Sequence, residues 1–377
     1  MTDRDNVGTI EDLHASATKI TGLTDFGNPS YLEGLTVLLE SYERDAQLTP
    51  LGRKVARSFL RGALVARSLS EVGFAQHPES AAVRIERPIF VTGLPRTGTT
   101  ALHRLLTADP SHQGLEMWLT EFPQPRPPRD SWNDNPVFRR LDDAFTRHHI
   151  DNPEFMGVHY MSASEVEECW QLLRQSAKSI SYECLAYLPT YSAWLAGQSW
   201  TDAYARHKQN LQLIGLGDRD RRWVLKNPSH LFALDALMEV YPDALVIQTH
   251  RATETAMASA CSLAAHATAG WSDHFTGDVI GRSQLDLWSR GLHSFTEARK
   301  RYPAEQFIDV EYRDFVQDPQ GTVSSIYSHF DLPLTDSASS AMAEMHAESR
   351  SGGRKPAHQY TLDDFGLTSA DITRAFA

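Results

Sequence analysis

Apolar residues recur at helical spacing through the first eighty residues of the chain, and no strand-like run interrupts them. Thr49 and Pro50 have the pattern of a helix start, because proline is favoured at the first helical position. We therefore predict a helical accessory segment over residues 1–84, packed on the core or forming part of a pocket or a dimer face. Its two apolar faces are formed by Leu35, Leu38, Leu39 and Tyr42, and by Val55, Phe59, Leu60, Leu64 and Val65.

Strand-like and helix-like patterns alternate over residues 85–335. This alternation predicts an α/β core, in which a parallel β-sheet is flanked by helices on both faces. Ligands of such sheets bind beyond the carboxyl ends of the strands. The strands are predicted at 89–91, 223–225, 244–248 and 307–310, and the helices from Thr99, at 231–240, 253–263 and 283–300, and ending near Phe330.

Three further stretches have distinct patterns. Residues 122–136 hold five prolines, which exclude a regular element and suit either a cover over substrate or a rigid surface connection. Ser164 and Glu167 resemble a capping box, so a helix is predicted at 164–178. Glu165, Glu167 and Glu168 are interpreted as acids of its first turn, and a substrate role for one of them is the minority interpretation. Residues 336–377 are predicted to hold a helix at 337–348 and a basic glycine-rich loop.

Charge and composition narrow the class of protein. The chain has 377 residues and a net charge of −12, which disfavours broad binding to nucleic acid or to anionic membrane. The three cysteines, Cys169, Cys184 and Cys261, have no paired spacing and are expected to be reduced thiols. We find no apolar signal core and no run of about 18 apolar residues, so we expect a soluble cytoplasmic protein without a membrane span.

The candidate chemistry is concentrated in residues 87–107, RPIFVTGLPRTGTTALHRLLT. An apolar strand leads into a loop that begins at Gly93 and ends at Gly98, and a helix follows. Backbone N–H groups and the positive end of the helix dipole make such a loop a phosphate site. The spacing of the glycines matches the nucleotide-binding pattern GxxxxGK[ST], but Thr99 stands in place of the lysine and the basic residue is Arg96.

The strand ends do not favour a magnesium-dependent kinase, which needs an aspartate at the end of a neighbouring strand. Here one strand is followed by Lys226 and Asn227, and the other by His250 and Arg251. Cationic side chains can take the place of a metal ion where the transferring group carries less charge than a phosphoryl group. The pattern predicts group transfer without a metal.

The six residues PRTGTT, Pro95 to Thr100, resemble the 5′-phosphosulfate loop of the sulfotransferases, which use 3′-phosphoadenosine 5′-phosphosulfate (PAPS). The resemblance extends over about residues 85–360 and implies a P-loop-type fold. It implies that the loop holds the 5′-phosphosulfate through Gly93, Pro95, Arg96, Thr97, Gly98, Thr99 and Thr100.

Three further motifs are similar to this family. Arg251 follows a strand and Ser259 lies eight residues later, as in the pair with which sulfotransferases bind the 3′-phosphate. Lys226, in the segment Lys-Asn-Pro, resembles a lysine that contacts the transferring sulfuryl group in the tyrosylprotein and bacterial branches. Arg354 and Lys355 resemble a shortened form of the basic loop that closes on the nucleotide, although a solvated tail is an equal alternative.

The general base is less well defined. The tyrosylprotein-type branch uses a glutamate about twenty residues beyond the loop arginine, and Glu116 has that position. The cytosolic branch uses a histidine two residues after a lysine, but Pro228 stands there in this chain. His230 and His112 therefore remain alternatives, because histidine is a common base near neutral pH.

Together these features predict transfer of a sulfuryl group from PAPS to a hydroxyl of a small-molecule acceptor, with 3′,5′-ADP as the product. Glu116 or a histidine takes the proton, and Arg96 and Lys226 stabilise the developing charge. The alternatives are an ATP-dependent small-molecule kinase and a degenerate nucleotide-binding protein without turnover. The identity of the acceptor cannot be predicted from these motifs.

Overall fold

The first three helices of the chain lie where the apolar periodicity predicts helices. The computed structural model describes residues 6–151, 162–351 and 360–377. The Thr49 side chain accepts a hydrogen bond from Gly52 N at the start of the third helix, with Pro50 at its first position. Apolar side chains of these helices share one cluster with Phe90 of the sheet. The helices are α1 (Ile10–Thr21), α2 (Tyr31–Arg44) and α3 (Pro50–Gln76).

A five-stranded parallel sheet forms the centre of the chain, which confirms the predicted fold class. The order of its strands is β2-β3-β1-β4-β5. A two-residue edge strand at His112–Gln113 escaped sequence analysis because it is too short to show alternation. The strands are β1 (Ile89–Gly93), β2 (His112–Gln113), β3 (Arg222–Lys226), β4 (Leu245–His250) and β5 (Phe307–Glu311).

Strand β1 lies between the strands that end in the two cationic motifs. Val91 of β1 is paired with Lys226 of β3, and Gly93 is paired with Thr249 of β4. The chain runs from β1 to one side of the sheet and then crosses to β4 on the other side. The carboxyl end of β1 is therefore a topological switch point, where open α/β sheets bind ligands.

Helices cover both faces of the sheet. Along β1, Phe90 belongs to the larger apolar cluster, whereas Ile89 and Val91 belong to the smaller one.

Among the described residues no helix is long and apolar enough to cross a membrane. The remaining helices are α4 (Thr99–Thr107), α5 (Met117–Glu121), α6 (Pro136–Asp151), α7 (Trp170–Arg174), α8 (Pro189–Ala196), α9 (Thr201–Ile214), α10 (Leu234–Val240), α11 (Thr253–Ala267), α12 (Gly277–Arg299), α13 (Tyr312–Gln317), α14 (Pro319–His329), α15 (Asp336–Ser351) and α16 (Ser369–Phe376). Short 3₁₀ turns lie at Pro78–Ala82, Arg129–Asp134, Gly215–Gly217, Pro228–Leu231, Ala304–Gln306 and Asp363–Phe365.

The predicted helix at 164–178 is wrong over most of its length, since helix α7 covers only Trp170–Arg174. Val166 instead forms an antiparallel bridge with Glu116. Glu167 N donates to Leu115 O at 2.8 Å, and Met117 N donates to Glu165 O at 3.0 Å. Backbone pairing with a distant segment satisfies these groups and overrides the local capping pattern.

The helix predicted to end near Phe330 is two helices, α13 and α14. They are separated at Asp318, whose side chain accepts from Gly321 N at 2.9 Å and caps the second helix. Pro319 cannot continue α13, because it lacks the N–H group that an interior helical position needs.

Candidate functional site

The loop between β1 and α4 has the backbone conformation of an anion site. Gly93, Arg96 and Gly98 all have positive φ angles, of 152°, 70° and 91°. Thr97 is buried, and its hydroxyl donates to Leu94 O at 2.7 Å and lies 2.6 Å from Thr249 Oγ1. These contacts fix the loop against β4. The first N–H groups of α4, beside the partly exposed Thr99 and the exposed Thr100, have no partner within the helix and can bind an anion.

On the β4 side of the loop, the predicted residues Arg96, Arg251 and Ser259 are in direct contact. Arg96 Nε donates to Ser259 Oγ at 3.1 Å, and Arg251 Nη1 donates to Arg96 O at 2.9 Å. Two further residues, which sequence analysis missed, complete the cluster. Tyr360 OH donates to Ser259 Oγ at 2.8 Å, and the Arg251 guanidinium lies 4.3 Å from the centre of the Tyr312 ring.

On the β3 side, Lys226 is buried at the end of its strand and is 2% exposed. Its Nζ donates to Thr100 Oγ1 at 3.2 Å and also to Glu168 Oε1. Lys226 therefore reaches the start of α4, and its contact with the transferring sulfuryl group stays a prediction. Burial raises the pKa of Glu168, and the Lys226 charge opposes this effect.

Glu116, the predicted base, lies in a separate polar network. Its Oε2 accepts a hydrogen bond from Arg126 Nε at 3.0 Å. Arg126 also donates to Gln113 Oε1, Asp218 Oδ2 and Gly114 O. Burial raises the pKa of Glu116, and the charge of Arg126 opposes it. The role of Glu116 as base stays a prediction.

The two alternative histidines are both buried. His230 Nδ1 forms a 2.6 Å hydrogen bond with Tyr204 OH, and its ring packs edge-on against Phe90. Burial lowers the pKa of His230 well below its ordinary value. His112 donates from Nδ1 to Leu106 O at 2.8 Å, and burial lowers its pKa as well.

Polar atoms near the end of β3 make few internal contacts. Asn227 Nδ2, Ser229 Oγ, His230 Nε2 and Glu168 Oε2 are all buried and have no hydrogen-bond partner among the residues that the structure describes. Unsatisfied buried polar groups are rare in folded proteins, and they call for a ligand or an ordered water. Their position beside Lys226 is therefore consistent with a ligand site at the carboxyl end of β3.

The role of the basic loop and the independence from metal stay predictions. Arg354 and Lys355 lie outside the described residues. Within the described part of the chain, no three histidine, cysteine, aspartate or glutamate side chains form a group suited to a metal ion. The independence of activity from metal remains a prediction for experiment.

A cavity of about 610 Å³ lies between α8 and α12. Its lining includes Leu188, Ala193 and Leu287, together with the ion pair of Glu183 and Arg290, whose atoms are 2.9 Å apart. Cys184, next to Glu183 in the chain, is close enough to Glu168 that the Glu168 charge helps to raise its pKa, after burial and Glu183.

Comparison with known proteins gives a consistent result. The sequence profile described as the Sulfotransferase family matches residues 88–336, which contain all five strands. The omega-hydroxy-beta-dihydromenaquinone-9 sulfotransferases Stf3 of Mycobacterium bovis and Mycobacterium tuberculosis are each 25% identical to the chain over 267 residues. The match covers 65% of this chain and 63% of the relatives, so less than two thirds of their length is represented.

Two solved structures are similar over nearly the whole chain. The crystal structure of sulfotransferase STF1 from Mycobacterium tuberculosis H37Rv has 58% sequence identity and a TM-score of 0.93, and the match covers 99% of this chain and 100% of that one. Sulfotransferase STF9 from Mycobacterium avium has 27% identity and a TM-score of 0.87, with 100% and 96% coverage.

Proposed function

Because this chain belongs to the sulfotransferase family, we propose that it transfers a sulfuryl group from PAPS to a hydroxyl of a small-molecule acceptor. The observation that carries the proposal is the contact network of Arg96, Arg251 and Ser259 at the start of α4. This network joins the predicted phosphate loop to Arg251, which follows β4, and to Ser259 of α11, the two residues that would form a second anion site. A donor with phosphate groups on both the 3′ and 5′ positions suits two such sites.

The residues present fit this donor. The loop amides, the N-terminus of α4, Thr99 and Thr100 would hold the 5′-phosphosulfate. Arg251 and Ser259 would hold the 3′-phosphate, for which an arginine offers a planar pair of donors. Their contacts with Arg96 and Tyr360 orient both groups before the nucleotide binds.

In the proposed reaction, the acceptor oxygen attacks sulfur while the bond between sulfur and the 5′-phosphate oxygen breaks. The electron pair of that bond leaves with 3′,5′-ADP, and a base takes the hydroxyl proton. Arg96 and Lys226 stabilise negative charge on the sulfuryl oxygens and the leaving phosphate. Fixed cations of this kind are most effective where charge develops in the transition state.

Nucleotide binding tests the assignment of the donor. Wild-type protein should bind 3′,5′-ADP more tightly than 5′-AMP in calorimetry. Arg251→Ala should weaken 3′,5′-ADP binding by about 1.5–3 kcal/mol, the scale of a hydrogen bond to a charged group, and leave 5′-AMP binding nearly unchanged. Arg84→Ala is the matched control, because the Arg84 side chain is 86% exposed. Its one salt bridge among the described residues is with Glu86. Equal affinities of the wild-type protein for both nucleotides would exclude the 3′-phosphate site.

Dependence on metal separates this proposal from an ATP-dependent kinase. Strands β3 and β4 end in Lys226 and His250, so the usual strand-end aspartate for Mg²⁺ is replaced by basic residues. Sulfuryl transfer should therefore persist in EDTA. A strict Mg²⁺ requirement with ATP as donor would favour the kinase, whereas binding of 3′,5′-ADP without turnover across a panel of acceptors would favour a nucleotide-binding protein.

For the acceptor, we propose an apolar molecule that bears a hydroxyl and occupies the cavity between α8 and α12. The curated relatives are named for a dihydromenaquinone derivative, and the cavity is lined in part by apolar side chains such as Leu188 and Leu287. Ala193→Trp fills the cavity from an exposed position and should raise the KM for acceptor without changing 3′,5′-ADP affinity. Ala15→Trp, at an exposed position of α1, is the control. An unchanged KM in Ala193→Trp would exclude this cavity.

A further inference from the structure

The carboxyl end of β3 carries a buried ion pair that local sequence patterns did not predict. Lys226 Nζ contacts Glu168 Oε1, and the two side chains are 2% and 13% exposed. Cys169 N donates to Lys226 O at 3.1 Å, so the segment containing Glu168 is held directly against the end of the strand. The Glu168 carboxylate is therefore positioned by a backbone hydrogen bond of its own segment to the end of β3.

The same lysine connects Glu168 to the phosphate loop. Lys226 Nζ donates to Thr100 Oγ1 at 3.2 Å, and Thr100 is the second residue of α4. Glu168 is thus linked through Lys226 to Thr100, which lies beside the amides that would hold the 5′-phosphosulfate. It approaches from the β3 side, whereas Arg251 and Ser259 approach from the β4 side. An acceptor hydroxyl near sulfur would be within reach of this carboxylate.

One carboxylate oxygen of Glu168 can accept a further hydrogen bond. Oε1 is held by Lys226, but Oε2 is buried and has no hydrogen-bond partner of good geometry in the described part of the chain. The Trp170 side chain also interacts with the Glu168 carboxylate and lowers its pKa, a smaller effect than that of burial. Leaving a buried carboxylate oxygen unpaired costs free energy, which a hydroxyl donor would recover. Rotation about the last side-chain bond can present either oxygen, because that torsion has a broad profile.

We propose that Glu168 is the general base that takes the proton from the acceptor hydroxyl. The proposal rests on the proposed sulfotransferase function. The proton passes from the acceptor oxygen to a Glu168 carboxylate oxygen, the acceptor oxygen bonds to sulfur, and the bond from sulfur to the 5′-phosphate breaks. The products are the sulfate ester, 3′,5′-ADP and a neutral Glu168, which returns its proton to solvent.

The ion pair gives this arrangement a chemical advantage. When Glu168 is protonated its negative charge disappears, so the charge of Lys226 is no longer compensated by its partner. This happens as negative charge builds on the sulfuryl oxygens and leaving phosphate, where Lys226 can then stabilise it. Glu116 is not paired with Lys226 in this way, since its Oε2 accepts a hydrogen bond from Arg126. Burial also raises the pKa of Glu168 toward the range in which a carboxylate is a better base.

Two matched substitutions test the proposal. Glu168→Gln should lower kcat by about a hundredfold or more, the contribution of general base catalysis, while 3′,5′-ADP affinity in calorimetry is unchanged. Glu116→Gln, which removes a carboxylate at the other candidate position, should reduce kcat far less. Full turnover in Glu168→Gln would overturn the proposal, and loss of kcat in Glu116→Gln alone would return the role to Glu116.

The pH profile distinguishes a base from a structural partner of Lys226. The acidic limb of kcat should be present in wild type and in Glu168→Asp, which keeps the charge, and absent from the residual activity of Glu168→Gln. The titratable groups that face Glu168 are Lys226 from β3, Glu167 and Cys169 in its own segment, and Cys184 from the segment before α8. An unchanged acidic limb in Glu168→Gln would contradict the proposal even if kcat falls. If wild-type protein binds 3′,5′-ADP but has no turnover with PAPS, both the proposed function and the assignment of the base are wrong. If wild-type protein turns over and Glu168→Gln is fully active, only the assignment of Glu168 as the base is wrong.

Discussion

At the scale of single residues, Arg96 connects three parts of the site. Its left-handed backbone conformation, with φ of 70°, costs about 1–2 kcal/mol for a residue other than glycine. Its side chain donates to Ser259, and its carbonyl accepts from Arg251. Strained residues that persist in a fold often lie at functional sites. The conformation is thus consistent with a role for Arg96 in donor binding and transfer.

Arg96→Ala and Lys226→Ala should lower kcat by about 10²–10³-fold, because each cation is expected to act on charge that develops in the transition state. Affinity for 3′,5′-ADP should change much less in both variants. Steady-state kinetics and calorimetry would measure the two effects, with Arg84→Ala as the exposed control. A change confined to the KM for acceptor would contradict the assignment of that residue.

His103 predicts a pH dependence of stability. This histidine of α4 is buried, and burial followed by the Lys226 charge lowers its pKa to about 3. The unfolded value is about 6.5, so the unfolded chain binds the proton first as the pH falls. The contribution of His103 to stability is complete above about pH 6.5 and is lost as the pH falls toward 3.

His103→Gln should therefore reduce the slope of unfolding free energy against pH by about 1.4 kcal/mol per pH unit, within the window between the two pKa values. Urea denaturation at a series of pH values would measure the slope for the wild type and the variant. Identical slopes in the two proteins would show that His103 does not titrate differently in the folded and unfolded states.

At the scale of elements, the unit of strand β1, loop and helix α4 depends on Gly98. This residue has φ of 91° and ψ of 5°, and an added Cβ would lie 2.8 Å from Cδ2 of Tyr312. Tyr312 in turn stacks against the Arg251 guanidinium. The loop glycine therefore leaves room for the ring that supports the proposed 3′-phosphate site.

Gly98→Ala should destabilise the protein and also weaken binding of 3′,5′-ADP, because Tyr312 must move. Gly22 provides the matched control, since it has φ of 74° and ψ of 3° and nothing within 4 Å of an added Cβ. Gly22→Ala should cost only the backbone strain of about 1–2 kcal/mol and leave binding unchanged. Equal effects of the two substitutions on stability and affinity would contradict the proposed steric role.

At the scale of the whole molecule, the N-terminal helices share their apolar cluster with the sheet. Leu60 and Leu64 of α3 belong to the same cluster of buried residues as Phe90 of β1 and Leu225 of β3. The buried Arg206 of α9 also donates to Arg67 O and to Glu71 Oε1 of α3. These contacts lead us to expect that the segment before residue 85 unfolds together with the α/β core.

Leu64→Ala should lower the free energy of unfolding by about 2–5 kcal/mol, as for other buried leucines. Leu51→Ala, in the same helix but 51% exposed, should change it by less than about 0.5 kcal/mol. Both variants should unfold in a single transition, detected alike by fluorescence and circular dichroism. A separate early transition in Leu64→Ala would mean that the N-terminal helices form an independent unit.

The sequence alone determined the features that depend on near neighbours in the chain. Buried strands showed as apolar runs, the phosphate loop as a glycine-bearing interruption between strand and helix, and Lys226 and Arg251 as cations at strand ends. Each of these signals lies within about ten residues, the range over which local conformation and amphipathic spacing operate. The structure brings Arg96, Arg251 and Ser259 into contact, and their roles in binding the donor stay predictions.

Only the tertiary structure decided which distant groups complete the site. Glu168 is 58 residues from Lys226 in sequence, and Tyr360 is 101 residues from Ser259, yet both pairs are in contact. The local pattern around Ser164 indicated a helix, but pairing of Val166 with Glu116 drew the segment into an extended form. That pairing satisfies backbone groups and places Glu168 against the end of β3. Such positions depend on packing and hydrogen bonding between separate segments, for which the local pattern of residues carries no signal.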